Sequence, residues 1–529
     1  MNAFPRTLPF QFFTVLLAVA AMFAMHYATP AGAGLANDSA AYIGGARSIL
    51  AGTGYSDVWL DSELEPITHY PPLYPLLLTG FGSVGIDPLR AARIANILFY
   101  GANTILVILL VASGKQRWWL ALFAGALFAA NSALLRVSMF AMSEPLFISL
   151  TLLSFLVFNH GYIQQNKLGW LFVSGMLAGL AVLTRYSGLA IVATLGLLVI
   201  VSPGQLRNKA GKLAVFLAPA VLFLAAWLLR NRFAAGNITN RSLEAHPITI
   251  EQISTGIQNL SRLVILFEPA RLALVRSGWW GPMVGILFGG LLVWLIVWVW
   301  NTTKNKAGLG VTTLPAMVTL FIFVYLSAVF FSISFFDNST RLIDRILAPV
   351  AICLVVLLCR VLGAVWDRFA NSSKQNKIGA RGLVIALMGV SLSLNLLGLA
   401  NALQAYHAEG QGYASWKWHD SPILAIIGDL PNDAVVYTNT PPAVYLVTGR
   451  ASKVMPTAVD PVNASVRQNF DADMKKMAQA VTDGRAILAI FNQNELENSP
   501  DWQAYRPFLE TLPTLKKTGD AILFGVSLP

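Results

Sequence analysis

Long apolar runs recur along this sequence too often for a water-soluble fold. About eleven of them approach the roughly twenty residues that cross a bilayer as a helix, near 9–28, 91–112, 118–135, 143–159, 168–184, 187–202, 213–230, 279–300, 312–334, 344–363 and 382–400. With 56% of residues hydrophobic and only 12% charged, no single core hides that much apolar surface, so lipid is the solvent for most of the chain. Between Gly169 and Val201 the run is too long for one span and short for two, and a tight turn at Arg185 divides it. The first run follows Arg6 and precedes the small residues Ala31–Gly34, as a cleavable leader does, but it is longer than a typical leader's apolar region and is read as a span.

Charge gives the sidedness. The net charge of +11 is not a nucleic-acid signature, because residues 1–400 carry 27 Lys and Arg against 13 Asp and Glu while 401–529 carry 10 against 13. With the N-terminus in the cytoplasm, the inner loops collect Arg6, Lys115, Arg117, Lys167, Arg207, Lys209, Lys212, Lys304, Lys306, Arg368, Lys374, Lys377 and Arg381, opposed by Asp367 alone. The remaining acids of the membrane half then fall outside: Asp38, Asp57, Asp61, Glu63, Glu65, Asp87, Glu144, Glu244, Glu251, Glu268, Asp337 and Asp344. Carboxylate chemistry is expected on that face.

Two outer loops, about 29–90 and 231–278, carry amphipathic segments over 39–50 and 248–266 that read as membrane-parallel cover. From about Asn401 the pattern becomes mixed. Segments 433–438, 485–491 and 521–526 read as strands and 471–481 and 502–512 as helices, giving a small α/β domain over 401–529 on the outer side. Cys353 and Cys359, six residues apart in one apolar run, read as packing residues.

The chemistry-bearing candidates cluster at outer ends of spans. Asn37-Asp38-Ser39 follows the first span; these are good helix caps, yet a carboxylate at a low-dielectric rim is also placed to act as a general base. His69, Tyr70 and Tyr74 in His69-Tyr70-Pro71-Pro72-Leu73-Tyr74-Pro75 form either a rigid aromatic turn or a platform for a sugar or lipid phosphate. Ser143-Glu144-Pro145 is a plain helix start, with Ser143 as cap. Arg185, Arg341 and Arg345 either snorkel singly or converge to hold a phosphate, and Asp344 is a possible partner for Arg345. No phosphate-binding Gly-rich loop, zinc spacing or dinucleotide turn occurs in a suitable context, which argues against a nucleotide-driven pump or a zinc peptidase.

Taken in order, Asn37-Asp38-Ser39-x-x-Tyr42, His69 to Pro75, Met142-Ser143-Glu144-Pro145-Leu146 and Leu183-Thr184-Arg185-Tyr186-Ser187-Gly188 resemble the GT-C superfamily of membrane glycosyltransferases, in the branch of protein O-mannosyltransferases and lipid A aminoarabinose transferases. Arg341-Leu342-Ile343-Asp344-Arg345 through Pro349 resembles that family's late arginine-plus-proline span. The resemblance implies a polytopic α-helical catalytic domain over 1–400 with a small extracytoplasmic α/β domain over 401–529. It implies transfer of a sugar, with inversion, from a polyprenyl-phosphate donor to a lipid, glycan or protein acceptor at the outer face of a bacterial inner membrane, serving envelope glycosylation. It assigns Asp38 as base, Tyr42, His69, Tyr70, Tyr74 and Glu144 to the acceptor or sugar side, and Arg185, Arg341 and Arg345 to the donor phosphate. Many relatives have two adjacent acids where Ser39 follows Asp38 here, so no cofactor is fixed and a divalent metal is left open. The competing readings are a transporter or flippase of lipid-linked sugars, an O-antigen polymerase or ligase, and a non-catalytic scaffold. Against transport, repeated halves and mid-membrane ionisable groups are not evident.

Overall fold

The computed structural model describes residues 7–527 except 63, 114–116, 240–242, 244, 266, 305–311, 337–339, 370–373, 460–465 and 499–501. Arg6, Glu63, Lys115, Glu244, Lys306 and Asp337 lie outside the described residues, as do the side chains of Lys374 and Lys377.

Among the described residues, eight helices are long and apolar enough to cross a membrane: Leu8–Ala28, Pro88–Ser113, Glu144–Gln164, Leu206–Ala235, Trp280–Lys304, Thr313–Phe335, Asp344–Arg368 and Ile378–Glu409. The expected span at 118–135 is instead two helices, Trp118–Ala129 and Ser132–Met139, bent by 59°. Asn131 makes the break, since its side chain caps the second helix by accepting from Leu134 N at 2.9 Å. Leu168–Val182 and Leu189–Val201 are shorter apolar helices, joined through Arg185 by one turn of 3₁₀ helix. Gly188 is required in that turn, because a Cβ there would sit 2.6 Å from the backbone of Ala181. Gly175 and Gly179, four apart, let the Leu168–Val182 helix close onto Leu206–Ala235, and a Cβ at Gly175 would lie 1.9 Å from the Phe216 carbonyl oxygen. Small residues at this spacing are how apolar helices pack in lipid, where no hydrophobic force drives them together.

Asp367, expected as the one acid of the inner loops, pairs with Arg117 at 2.9 Å, and Arg117 and Arg381 lie over the Trp366 ring. The Asn37–Leu50 helix is more enclosed than an interfacial helix, with residues from Ser39 to Ala46 buried. The Ile250–Val264 helix keeps the amphipathic character expected of it, burying Leu260 and Leu263 while Ile250 and Ile253 face out. A further helix, Glu268–Arg276, follows in the same loop.

Beyond Glu409 the chain forms a five-stranded sheet: β1 (Val435–Thr438), β2 (Lys453–Val454), β3 (Ala486–Phe491), β4 (Thr514–Thr518) and β5 (Ala521–Phe524). The order is β2-β1-β3-β5-β4, with β1 parallel to β2 and β3, and β5 antiparallel to β3 and β4. Helices cover both faces. Ile487, Ala489 and Phe491 pack toward Ile423, Leu424 and Val444, while Leu488 and Ile490 pack toward Met474, Met477 and Tyr505. Strand β3 is buried on both sides for this reason, which explains its continuous apolar sequence.

Backbone pairing joins this sheet region to the segment after the first helix. Leu35 pairs with Gly412, with Tyr413 N donating to Leu35 O at 2.9 Å, and a Cβ at Gly412 would lie 1.9 Å from that oxygen. Leu60 pairs with Ser452 at the edge of β2, where Asp61 N donates to Ser452 O at 3.0 Å. Cys353 and Cys359 are both free and buried, in keeping with a packing role.

Candidate active site

Four chain segments meet where the Leu8–Ala28 and Leu168–Val182 helices end and the Glu144 and Asp344 helices begin. Asp38 stands in the first turn of the Asn37–Leu50 helix, two residues past the cap, which is Ala36. Its Oδ2 accepts from Arg345 Nη1 at 2.5 Å and its Oδ1 from the Tyr70 hydroxyl at 2.7 Å. Glu144 Oε1 accepts from Arg185 Nη1 at 2.5 Å and lies 3.9 Å from Arg345 Nη1. Arg345 is thereby shared between two carboxylates, and the two ion pairs are one network.

The network is graded from buried to open. The Glu144 side chain is 4% exposed and that of Arg185 20%, whereas Asp38 and Arg345 keep 23% and 31%. Glu144 Oε2 and Arg345 Nε have no hydrogen-bond partner among the described residues. The two unpartnered atoms therefore lie one at each end, Glu144 Oε2 at the buried end and Arg345 Nε at the open one. Burial pushes the Asp38 carboxyl up, but the Arg345 guanidinium and the Tyr70 hydroxyl outweigh it and hold the group below its ordinary value. Burial pushes the Tyr70 phenol well up, and the Asp38 charge adds to that, so Tyr70 remains a neutral donor.

The aromatic residues divide into lining and support. Tyr70 faces Asp38, and the His69 ring lies 4.3 Å from the Tyr70 ring, both half-buried. Tyr74 does not share their platform: it is fully buried, edge-on to Tyr42 at 5.3 Å, with its hydroxyl on Asn96. Tyr42 is also buried and its hydroxyl bonds Ser143 Oγ at 3.0 Å. Ser143 occupies the N-cap position of the Glu144 helix as expected, but its hydroxyl makes no cap bond and instead links Tyr42 to the ion-pair network, with Arg185 Nη1 at 3.5 Å.

Two other expectations change. The three arginines do not converge: Arg341 is exposed, four residues ahead of Arg345, and is not among the residues bonded in this network. Asp344 does not pair with Arg345. It is the first residue of its helix, where successive side chains point in different directions, and the charges that act on it are those of Arg262, Arg136 and Arg271.

Sequence reasoning missed Tyr413. Its hydroxyl donates to Asn37 Oδ1, one residue before Asp38, and also meets Thr440 Oγ1 at 3.1 Å. The signal was Gly410-Gln411-Gly412-Tyr413, an aromatic after two glycines at positive φ just past the last apolar helix. Metal-ligand geometry is not built here. Among the described residues no three His, Cys, Asp or Glu side chains gather, and the oxygens of Asp38 are engaged by Tyr70 and Arg345.

Whole-chain structural similarity now bears on this geometry. The chain superposes on ArnT from Cupriavidus metallidurans bound to undecaprenyl phosphate with a TM-score of 0.58 at 14% identity, covering 97% of this chain and 98% of that one. The fold is that of the GT-C membrane glycosyltransferases. Within the GT-C fold, the oligosaccharyltransferase AglB from Archaeoglobus fulgidus, in complex with an inhibitory peptide and a dolichol-phosphate, matches with a TM-score of 0.51 at 13% identity, over 98% of this chain and 74% of that one. The arabinofuranosyltransferase AftD from Mycobacteria matches at 0.52 and 11% identity, over 98% of this chain and 41% of that one. By sequence, the model of the dolichyl-phosphate-mannose-protein mannosyltransferase family matches residues 62–236. That stretch holds His69, Tyr70, Glu144 and Arg185 but neither Asp38 nor Arg345. No curated protein matches the sequence.

Proposed function

We propose that this chain transfers a sugar from a polyprenyl-phosphate donor to an acceptor hydroxyl at the outer face of a bacterial inner membrane. The observation that carries the proposal is the sharing of Arg345 between Asp38 at 2.5 Å and Glu144 at 3.9 Å, at one end of the apolar helices. The mannosyltransferase family match and the GT-C fold support it. A carrier whose tail stays in lipid brings its phosphate to that rim, and guanidinium forks suit phosphate best.

Asp38 and Arg345 then exchange partners. In the resting pair, Arg345 suppresses the basicity of Asp38. Once the donor phosphate occupies Arg345, the positive charge is spent elsewhere and burial raises the proton affinity of Asp38. The carboxylate then takes the proton of the acceptor hydroxyl as its oxygen bonds to the anomeric carbon. The bond from that carbon to the phosphate oxygen breaks on the opposite side, inverting the centre, and the phosphate leaves on Arg345 and Arg185. Tyr70 orients Asp38; His69 and Tyr70 line the sugar side; Tyr42, Tyr74 and Ser143 hold these groups in place; Glu144 fixes the two arginines. Residues 1–400 form the catalytic unit and 401–529 an outer α/β domain, with the N-terminus cytoplasmic.

Reconstitution in liposomes with a polyprenyl-phosphate sugar labelled in both moieties tests this. Transfer predicts that the two labels separate, the sugar passing to a hydroxyl acceptor in an envelope extract. Passage of the intact lipid across the bilayer with both labels together contradicts it and favours a flippase.

A further inference from the structure

A second cleft lies away from Asp38, where the first outer loop meets the sheet. It encloses about 490 Å³, within the ~300–1,000 Å³ range of small-ligand sites. One wall is the segment Leu60–Ser62, and the other comes from β1, the edge of β2 and the Phe470–Thr482 helix. Neither wall alone makes the cleft; the Leu60–Ser452 pairing creates it by extending the sheet edge with loop backbone.

The lining mixes functional groups in a way that selects a ligand class. Two acids, Asp61 and Asp473, and three cations, Lys453, Arg467 and Lys476, line one space, with the Lys453 amine over the Tyr437 ring at 5.9 Å. An anion alone would not explain two acids in the wall, and an apolar ligand would strand five charged side chains. A sugar, with hydroxyls that both donate to the acids and accept from the cations and a C–H face for the Tyr437 edge of the cleft, matches this mixed lining.

We infer that this cleft is a carbohydrate subsite that holds a hydroxyl-rich glycan beside the catalytic rim. Its loop wall is mechanically close to Asp38, since Val58 and Trp59 pack on Gly44 of the Asp38 helix, where a Cβ would meet them at 3.2 and 3.1 Å. Six residues separate Gly44 from Asp38, about 9 Å along a helix axis. Identification of the bound glycan as the acceptor rests on the transfer reading above; sugar binding itself does not.

Saturation-transfer NMR on the full-length protein in nanodiscs tests the site, with methyl glucoside, methyl mannoside and methyl arabinoside as probes at millimolar concentration and no donor present. At least one probe is expected to receive saturation. That signal should fall several-fold in Asp473→Ala and in Val454→Trp, which fills the cleft from its exposed edge, and persist in Asp38→Asn. Absence of saturation for all three probes, an unchanged signal in both cleft variants, or displacement by inorganic phosphate overturns the inference. Sugar binding without transfer in the liposome assay faults the transfer reading alone, and transfer without saturation faults this site alone.

Discussion

Replacing Arg185 by alanine strands a carboxylate in the interior. Glu144 is 4% exposed, its Oε2 has no partner among the described residues, and its Oε1 loses the guanidinium at 2.5 Å while Arg345 stands off at 3.9 Å. Breaking a buried pair from one side costs about 3–5 kcal/mol, because the remaining charge is uncompensated. The distant Arg345 and the partial exposure of Arg185 place this case near the lower end, about 3 kcal/mol, or roughly 100-fold in the unfolding equilibrium. Glu144→Gln/Arg185→Ala removes the stranded charge and should recover most of that loss. The assay is reversible unfolding in bicelles for wild type, both single variants and the double variant, read as a double-mutant cycle. Stability of Arg185→Ala equal to wild type, or a double variant no more stable than Arg185→Ala, refutes the reasoning.

Tyr70→Phe removes one of the groups that lower the Asp38 carboxyl, so its pKa should rise and the acid limb of the pH–rate profile should move to higher pH. Because the folded value is depressed, the stability Asp38 contributes is present above its ordinary value, about 3.9, and is lost as pH falls through the folded value; Asp38→Asn should remove that component from a pH titration of unfolding. Gly175→Leu should force the Leu168–Val182 and Leu206–Ala235 helices apart and lower the unfolding midpoint sharply, whereas Gly169→Leu, with open space around its Cβ position, should leave it nearly unchanged. Tyr413→Phe should lower kcat with little change in donor KM, because it frees Asn37 beside Asp38 without touching the arginines.

The helices of the membrane half were legible because apolar length is a direct physical requirement of the bilayer, and even the divided run at Arg185 was visible as a length mismatch. The break at Asn131 was not, since a polar residue inside an apolar run signals a cap only once the bend is known. In the sheet, β1, β3 and β5 announced themselves as apolar runs, while β2 has two residues and β4 reads Thr-Leu-Lys-Lys-Thr, an edge strand with polar exposure. At the site, sequence brought forward Asp38, Glu144, Arg185 and Arg345 as groups at one rim. It could not say which acid meets which arginine, because adjacent residues such as Asp344 and Arg345 diverge by helix geometry. Nor could it separate the tyrosines that line the site from those beneath it, a matter of burial that Tyr70 and Tyr74 decide oppositely.

In the proposed reaction Asp38 removes the acceptor proton. General-base assistance is worth about 10²–10⁴-fold, and Asp38→Asn keeps the size and the Tyr70 contact while removing the base. Sugar transfer by purified Asp38→Asn, measured against wild type at saturating polyprenyl-phosphate sugar and matched by yield and thermal midpoint, is the direct measurement. The account predicts a fall of that order with the fold intact, and turnover near the wild-type rate would contradict it.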